Sequence, residues 1–171
     1  MDSFPTSEYN ISKIEISYHN KIPHSERIIV NDPNIAYSIF RRAWDFSKIE
    51  LLEQFKILLL DRGNHCLGVA DVSTGGVSLS HSDPRIIFSI ALLGHASGII
   101  LAHNHPSGTL MPSPSDKVMT ERLQEGGRLL DIPILDHLIL TKEDYFSFAQ
   151  NDLMVPKVNP VKVKGSRRRS P

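Results

Sequence analysis

The hydrophobic pattern of this chain changes repeatedly between the period of strands and the period of helices. Seven short segments have the alternating or continuous apolar pattern of strands: residues 14–18, 27–30, 53–61, 66–72, 99–102, 134–140 and 145–148. The first two are close enough in sequence to form a hairpin. Residues 53–61 and 66–72 flank a turn at Arg62-Gly63-Asn64, so we expect them to pair antiparallel.

Three helices are predicted by capping residues that precede apolar residues at helical spacing. Asp32-Pro33 and Ser82-Asp83-Pro84 each place a cap and a first-turn proline before such a segment. The third helix is expected from Pro114 to about Leu130, although Gly126-Gly127 should weaken its last turns by about 1 kcal/mol each relative to alanine. This order of elements predicts an α/β sandwich, a mixed sheet flanked by helices.

Length and composition limit the class of protein. A chain of 171 residues with 40% hydrophobic content fits one globular domain. The single cysteine, Cys66, excludes an internal disulfide and a multi-cysteine zinc knuckle, so any metal must be held by nitrogen and oxygen. No apolar segment reaches the roughly 20 residues of a spanning helix, and the amino terminus lacks a signal-peptide pattern. We therefore expect a cytoplasmic protein without membrane contact.

Charge is balanced overall but unevenly distributed. Lys plus Arg and Asp plus Glu number 19 each, yet six of the basic residues follow Pro156, which leaves 13 basic against 19 acidic residues elsewhere. This acidic body argues against a broad nucleic-acid-binding face on the fold. We expect residues 1–26 to be a lead-in with a first strand, residues 27–150 to form the domain, and residues 151–171 to be a basic, disordered tail that alone could contact nucleic acid.

Two histidines one residue apart, His103 and His105, follow the predicted strand at residues 99–102. Side chains two apart on a strand point the same way, so both rings can converge on one ion. Asp116 lies in the first turn of the third helix, and the intervening loop lets that turn fold back toward the histidines. Two nitrogens and one carboxylate oxygen suit Zn²⁺ with a position left for water, which would have its pKa lowered to about 7. The sequence therefore predicts metal-assisted hydrolysis.

Hydrolysis also needs a carboxylate that takes and returns a proton, and Glu50, Glu53 and Asp61 are the candidates. Glu53 is favoured because it shares the alternating face of the apolar strand that follows it, where a carboxylate either pairs or acts as a base with a shifted pKa. The segment from Ser113 to Asp116 is also a good capping box, a pattern common without catalysis. The remaining histidines lack such companions and are interpreted as surface or core residues: His19, His24, His65, His81, His95 and His137.

The spacing of His103, His105, Ser113 and Asp116 matches the JAMM motif of zinc-dependent isopeptidases. The longer run His-Asn-His-Pro-Ser-Gly at residues 103–108 resembles the RadC branch of that superfamily, and the resemblance extends from about residue 28 to residue 148. It implies a three-layer α/β/α sandwich of JAMM/MPN architecture, similar to cytidine deaminases.

The resemblance also implies roles for particular residues. His103, His105 and Asp116 would be the Zn²⁺ ligands, Glu53 the general base, and Ser113 a donor that steadies the oxyanion. The implied activity is that of a metallopeptidase or isopeptidase acting on a peptide or isopeptide substrate, in association with DNA repair or recombination.

One departure from the family and one alternative function bear on this interpretation. Full-length RadC proteins carry an additional amino-terminal region similar to helix-hairpin-helix modules, and the residues before residue 28 are too few for it, so we expect a short form. A zinc deaminase is excluded because His-x-Glu and Pro-Cys-x-x-Cys are absent. The alternative is a non-enzymatic, DNA-associated or partner-binding module in which the metal is structural and the Arg-rich tail makes the contacts.

Overall fold

A computed structural model describes residues 21–75 and 83–154 of the chain. Its α-helices are α1 (Pro33–Ala43), α2 (Pro84–Leu93) and α3 (Pro114–Leu129). Its strands are β1 (Gln54–Leu60), β2 (Cys66–Thr74), β3 (Gly98–Asn104), β4 (Ile134–Leu140) and β5 (Tyr145–Ser147). The predicted strand at residues 14–18 and its hairpin, His19, His81 and most of the basic tail lie outside the described residues.

The five strands form one sheet in the order β2-β1-β3-β4-β5. β1 pairs antiparallel with both β2 and β3, β3 pairs parallel with β4, and β4 pairs antiparallel with β5. The sheet is therefore mixed, as predicted, and the antiparallel pairing of β1 with β2 is confirmed. Asn64 closes the predicted turn between them with a positive φ of 59°, a conformation that asparagine tolerates better than most residues.

The predicted strand at residues 27–30 is wrong. Only Ile29 forms a bridge, and its partner is His65 in the β1–β2 turn. Hydrogen bonds from Val30 N to Asn64 O and from Cys66 N to Ile28 O hold the segment against that turn. It cannot continue as a ladder because α1 begins at Pro33, immediately after these contacts.

Helices cover both faces of the sheet, which gives the predicted three-layer α/β/α arrangement. Alternate residues of β1 project to opposite faces, since side chains alternate along a strand. Phe55, Ile57 and Leu59 pack in the core beneath α2 and α3, whereas Leu58 and Leu60 pack in the core beneath α1. All seven residues of β1 and all seven of β3 are buried, so the central strands form a rigid support for side chains at their ends.

The helix caps follow the sequence prediction. Asp32 and Asp83 each accept a hydrogen bond from the backbone two residues later, and α3 begins with a complete capping box. Gly127 has a role that the sequence did not indicate. A Cβ atom there would lie 2.5 Å from the carbonyl oxygen of Ile132, so glycine permits the chain after α3 to pack closely against the helix. No helix among the described residues is long and apolar enough to cross a membrane.

Candidate metal centre

Three separate elements bring the predicted site residues together at one end of the central strands. His103 is the penultimate residue of β3, and its register partner is Phe55 near the start of β1. Because β1 and β3 are antiparallel, the residue that precedes β1, Glu53, lies beside the end of β3. Asp116 comes from the first turn of α3, which packs on the same face of the sheet.

The ligating atoms of these residues lie close together. The two Nε2 atoms of His103 and His105 are 2.9 Å apart. The Asp116 carboxylate lies 3.6 Å from His103 Nε2 through Oδ1 and 3.5 Å from His105 Nε2 through Oδ2. Glu53 offers a carboxylate oxygen within 4.8 Å of a ring nitrogen of each histidine. The structure thus groups the four residues that the sequence analysis proposed as ligands and base.

The other two candidate bases lie elsewhere. Glu50 is exposed, and its Oε2 is 2.8 Å from Nζ of Lys142. Asp61 follows the opposite end of β1 and binds His65 in the β1–β2 turn. Among the three carboxylates that the sequence left open, only Glu53 shares a potential metal-ligand group with His103 and His105.

The chemistry of the donor set fits a divalent cation. His105 Nδ1 lies 2.8 Å from the carbonyl oxygen of Thr109, which can only accept, so Nδ1 carries a hydrogen and a neutral ring has a bare Nε2. That Nε2 faces the Nε2 of His103 at 2.9 Å. The two facing ring nitrogens and the neighbouring Asp116 carboxylate form a set of nitrogen and oxygen ligands that Zn²⁺ prefers.

Asp116 serves the helix and the candidate site at once. Its Oδ2 accepts a hydrogen bond from the backbone N–H of Ser113 at 2.7 Å, and Ser113 Oγ accepts one from Asp116 N at 3.2 Å. This reciprocal pair is the capping box, which fixes the carboxylate on a rigid helix start. From the sequence, cap and metal ligand are competing interpretations of Asp116, but the geometry allows both roles together.

Burial and neighbouring charges shift the pKa values of the site residues in different directions. Burial, reinforced by the neighbouring His105, holds the pKa of His103 well below its ordinary value. Burial opposes charge on His105 and Asp116 as well, but their mutual contact outweighs it, so the pKa of the histidine is raised and that of the aspartate lowered. For Glu53, burial raises the pKa, and the nearby His105 only partly offsets this. Such a shift is typical of a carboxyl that exchanges protons near neutral pH.

Asn104, between the two histidines, is a residue whose role the sequence analysis missed. It is fully buried, and its side-chain amide donates to the carbonyls of Ile49 and Leu52 at 2.7 and 2.9 Å. Its Oδ1 accepts from Gln54 N at 2.7 Å. These bonds fasten the chain on both sides of Glu53 to the end of β3. A polar residue between two candidate ligands at the end of an apolar strand was the available signal.

His137 was interpreted as a surface or core residue, and it is indeed in the core, but it contacts the site. It is fully buried on β4, and its Nε2 lies 2.8 Å from Nδ1 of His103. Its Nδ1 lies 2.7 Å from Oγ1 of Thr120, a residue of α3. The only sequence signal was a histidine within the apolar strand at residues 134–140.

A mixed sheet between two layers of helices, with paired histidines and a carboxylate at the end of its central strand, defines a domain of JAB/MPN architecture. Residues 30–153 match the family model described as RadC-like JAB domain. The chain therefore belongs to the RadC-like JAB domain family.

Named relatives of the chain carry the designation UPF0758. It is 42% identical over 101 residues to a UPF0758 protein of Flavobacterium johnsoniae, covering 59% of this chain and 44% of that protein. It is 43% identical over 100 residues to one of Actinobacillus succinogenes, covering 58% and 46%. The chain thus spans less than half the length of these relatives. It is 33% identical over 129 residues to UPF0758 protein YeeS of Escherichia coli K12, covering 73% of this chain and 87% of that protein.

Proposed function

We propose that this domain is a zinc-dependent hydrolase of the JAMM type that cleaves a peptide or isopeptide bond. The observation that supports this most directly is the convergence of two histidine Nε2 atoms and the Asp116 carboxylate, with Glu53 beside them. Three protein ligands with a separate carboxylate are the composition of catalytic rather than structural zinc sites, because structural sites use four protein ligands.

Each residue has a distinct task in this proposal. His103, His105 and Asp116 hold the zinc ion, which when bound polarises a substrate carbonyl and activates a water molecule. Glu53 takes a proton from the attacking water and returns it to the leaving nitrogen, a role that suits its raised pKa. Ser113 Oγ accepts from Asp116 N and lies 2.8 Å from Ser115 Oγ. With Ser115 as the donor in that second contact, the Ser113 hydroxyl donates to the developing oxyanion.

The test of this function is a comparison of two glutamate variants in zinc-loaded protein. Glu53→Gln should retain zinc and lose hydrolysis by roughly 10²- to 10⁴-fold, the usual contribution of a general base. Glu50→Gln is the matched control, since Glu50 is exposed and paired with Lys142 away from the site. The substrates are fluorescence-quenched peptides together with a peptide joined through a lysine ε-amide. Zinc-loaded wild-type protein that cleaves neither bond class, or equal activity in Glu53→Gln, contradicts the proposal.

The association with DNA repair or recombination and the nucleic-acid contact through the basic tail are part of the same proposal. They are supported by the six basic residues after Pro156 and by the family resemblance alone. DNA binding that weakens with salt and is lost when residues 167–169 are removed supports this part. Binding that persists without these arginines contradicts it.

A further inference from the structure

We propose that Thr120 and His137 form a relay that fixes the tautomer of His103, so that His103 presents a bare Nε2 to the metal. This inference rests on the proposed function in so far as it concerns a metal ligand. It assigns positioning roles to two buried residues that lie outside the JAMM spacing.

The relay is enclosed and both nitrogens of His137 take part in it. Thr120, His137 and His103 are 1% exposed or less. The His137 ring stacks on Phe148 with centroids 4.7 Å apart, and meets Phe55 edge-on at 6.0 Å. These aromatic neighbours fix the ring plane, so its two nitrogens face Thr120 and His103.

The direction of each hydrogen follows from the end of the relay. Thr120 Oγ1 lies 2.6 Å from the backbone carbonyl oxygen of Asp116, which has no hydrogen to give, so the hydroxyl must donate there. The contact of 2.7 Å between Thr120 Oγ1 and His137 Nδ1 then requires a hydrogen on the nitrogen. A neutral His137 has its second nitrogen, Nε2, bare.

The tautomer of His137 in turn sets the tautomer of the candidate ligand His103. Because His137 Nε2 is bare, the contact of 2.8 Å with His103 Nδ1 needs the hydrogen of His103. A neutral His103 with its hydrogen on Nδ1 has a lone pair on Nε2, the atom that faces His105 and Asp116. Histidine ligands commonly donate their second nitrogen to a carbonyl or carboxylate. Here the acceptor is another imidazole, and its own tautomer is set by Thr120.

The relay also joins two candidate ligands through the protein core. It begins at the backbone carbonyl of Asp116 on α3 and ends at the ring of His103 on β3, with His137 of β4 between them. One chain of hydrogen bonds thereby positions the first turn of α3 relative to the end of β3. For His105, the corresponding acceptor of the Nδ1 hydrogen is the backbone carbonyl of Thr109.

The experiment compares Thr120→Val, which removes the hydroxyl at similar volume, with Thr120→Ser, which keeps it. Metal-free protein with ¹⁵N-labelled histidine is examined by long-range ¹H–¹⁵N correlation, which distinguishes protonated from bare ring nitrogens. Zinc affinity is then measured by chelator competition. We expect wild type and Thr120→Ser to have Nδ1-protonated His103 and similar affinities. Thr120→Val should have a mixed His103 tautomer and a zinc affinity lower by roughly 10- to 100-fold.

A second pair of variants keeps the test decisive if Thr120→Val does not fold. His137→Gln retains a side-chain acceptor near the Nε2 position and should bind zinc more tightly than His137→Leu, which has none. A purely structural role would lower the melting temperature of Thr120→Val without changing the His103 tautomer or the affinity of the folded protein. The proposal is overturned if wild-type His103 carries its hydrogen on Nε2, or if the Val and Ser variants bind zinc equally. Failure of wild type to bind zinc overturns the proposed function instead, since the metal-free spectrum decides the tautomer independently.

Discussion

Two histidine and carboxylate clusters lie at opposite ends of β1, and only one has the properties of a metal centre. The His103 cluster consists of Glu53, His103, His105 and Asp116. The His24 cluster consists of His24, Asp61 and His65, whose ligating atoms lie within 4.8 Å of one another, as do those of Glu53, His103 and His105. By residue type alone, both clusters are candidate zinc sites.

The carboxylate of the His24 cluster is already used by the protein. Asp61 Oδ1 accepts from Gly63 N, His65 N and His65 Nδ1 at 2.8, 2.9 and 3.0 Å. Its Oδ2 lies 3.5 Å from His24 Nε2 and 4.0 Å from the guanidinium of Arg27. These contacts stabilise the β1–β2 turn, and a fixed positive charge beside the carboxylate opposes a second cation.

The difference between the clusters is in the atoms left without a hydrogen. In the His103 cluster, the Nδ1 atom of each histidine is hydrogen-bonded to another residue. The Nε2 atoms therefore converge with their lone pairs available to a metal ion. In the His24 cluster, the hydrogen bonds point inward to the carboxylate itself. A metal site therefore requires that the surrounding protein hold each histidine through the ring nitrogen that does not bind the metal. Suitable residue types lying close together are not sufficient for a metal site.

The largest expected effect concerns zinc binding. His103→Ala removes one of the converging nitrogens and should reduce the zinc content from about one ion per chain to about zero. His65→Ala should leave zinc content unchanged, because the carboxylate of the His24 cluster is already hydrogen-bonded within the β1–β2 turn. The measurement is metal analysis after zinc loading and gel filtration.

His105→Ala is the second variant for this test, since His103 is fully buried and its replacement can impair folding. Equal zinc loss in the His65 and His105 variants would remove the distinction between the two clusters.

A smaller effect is expected from Asn104→Ala, which leaves the backbone groups of Ile49 and Gln54 without their partner. Buried unsatisfied groups cost about 1–3 kcal/mol each, so the free energy of unfolding should fall by about 2–6 kcal/mol. Zinc should be retained, while hydrolysis falls because the chain around Glu53 is released. Chemical denaturation and the peptide assay measure the two effects. Full activity in a folded Asn104→Ala variant argues against the bracing role.

Asp61→Ala should destabilise the fold by about 1–2 kcal/mol through loss of the turn bonds, with no change in zinc content. The effect should depend on pH. Burial raises the pKa of Asp61, but hydrogen bonds from His65 and Gly63 outweigh it, so the pKa in the folded state is lowered. The stabilisation by Asp61 is therefore full above about pH 5 and is lost as the pH falls through about 4 toward the folded-state pKa. Denaturant titrations of both proteins across this range test the sign.

His24→Ala should have the smallest effect. The His24 side chain is 65% exposed, and its contact with Asp61 is 3.5 Å long. Such surface pairs contribute about 0.5 kcal/mol or less. A melting temperature within error of wild type and unchanged zinc content are expected. A loss of bound zinc in this variant would instead place a metal in the His24 cluster.

Local patterns in the sequence predicted much of this molecule. The capping box at Ser113 and Asp116 involves residues three apart, and the convergence of His103 and His105 involves residues two apart on a strand. Both depend only on the geometry of one element. The sheet pairing of β1 with β2 was likewise accessible because a short turn joins them.

Long-range contacts were not accessible in the same way. His137 reaches His103 only because β3 and β4 are parallel neighbours, and no local pattern specifies that pairing. Asn104 binds residues about fifty positions earlier in the chain. Gly127 was interpreted as weakening α3, whereas its meaning depends on the approach of Ile132. In each case the residue's role is set by a partner from another element.

The most direct test of the central claim is the position of the zinc ion in a zinc-loaded crystal, located by anomalous scattering at the zinc edge. The account predicts one peak per chain, roughly 2.0–2.2 Å from the Nε2 atoms of His103 and His105 and from a carboxylate oxygen of Asp116. A peak between His24 and His65, or no peak at His103 in a zinc-loaded crystal, would contradict it.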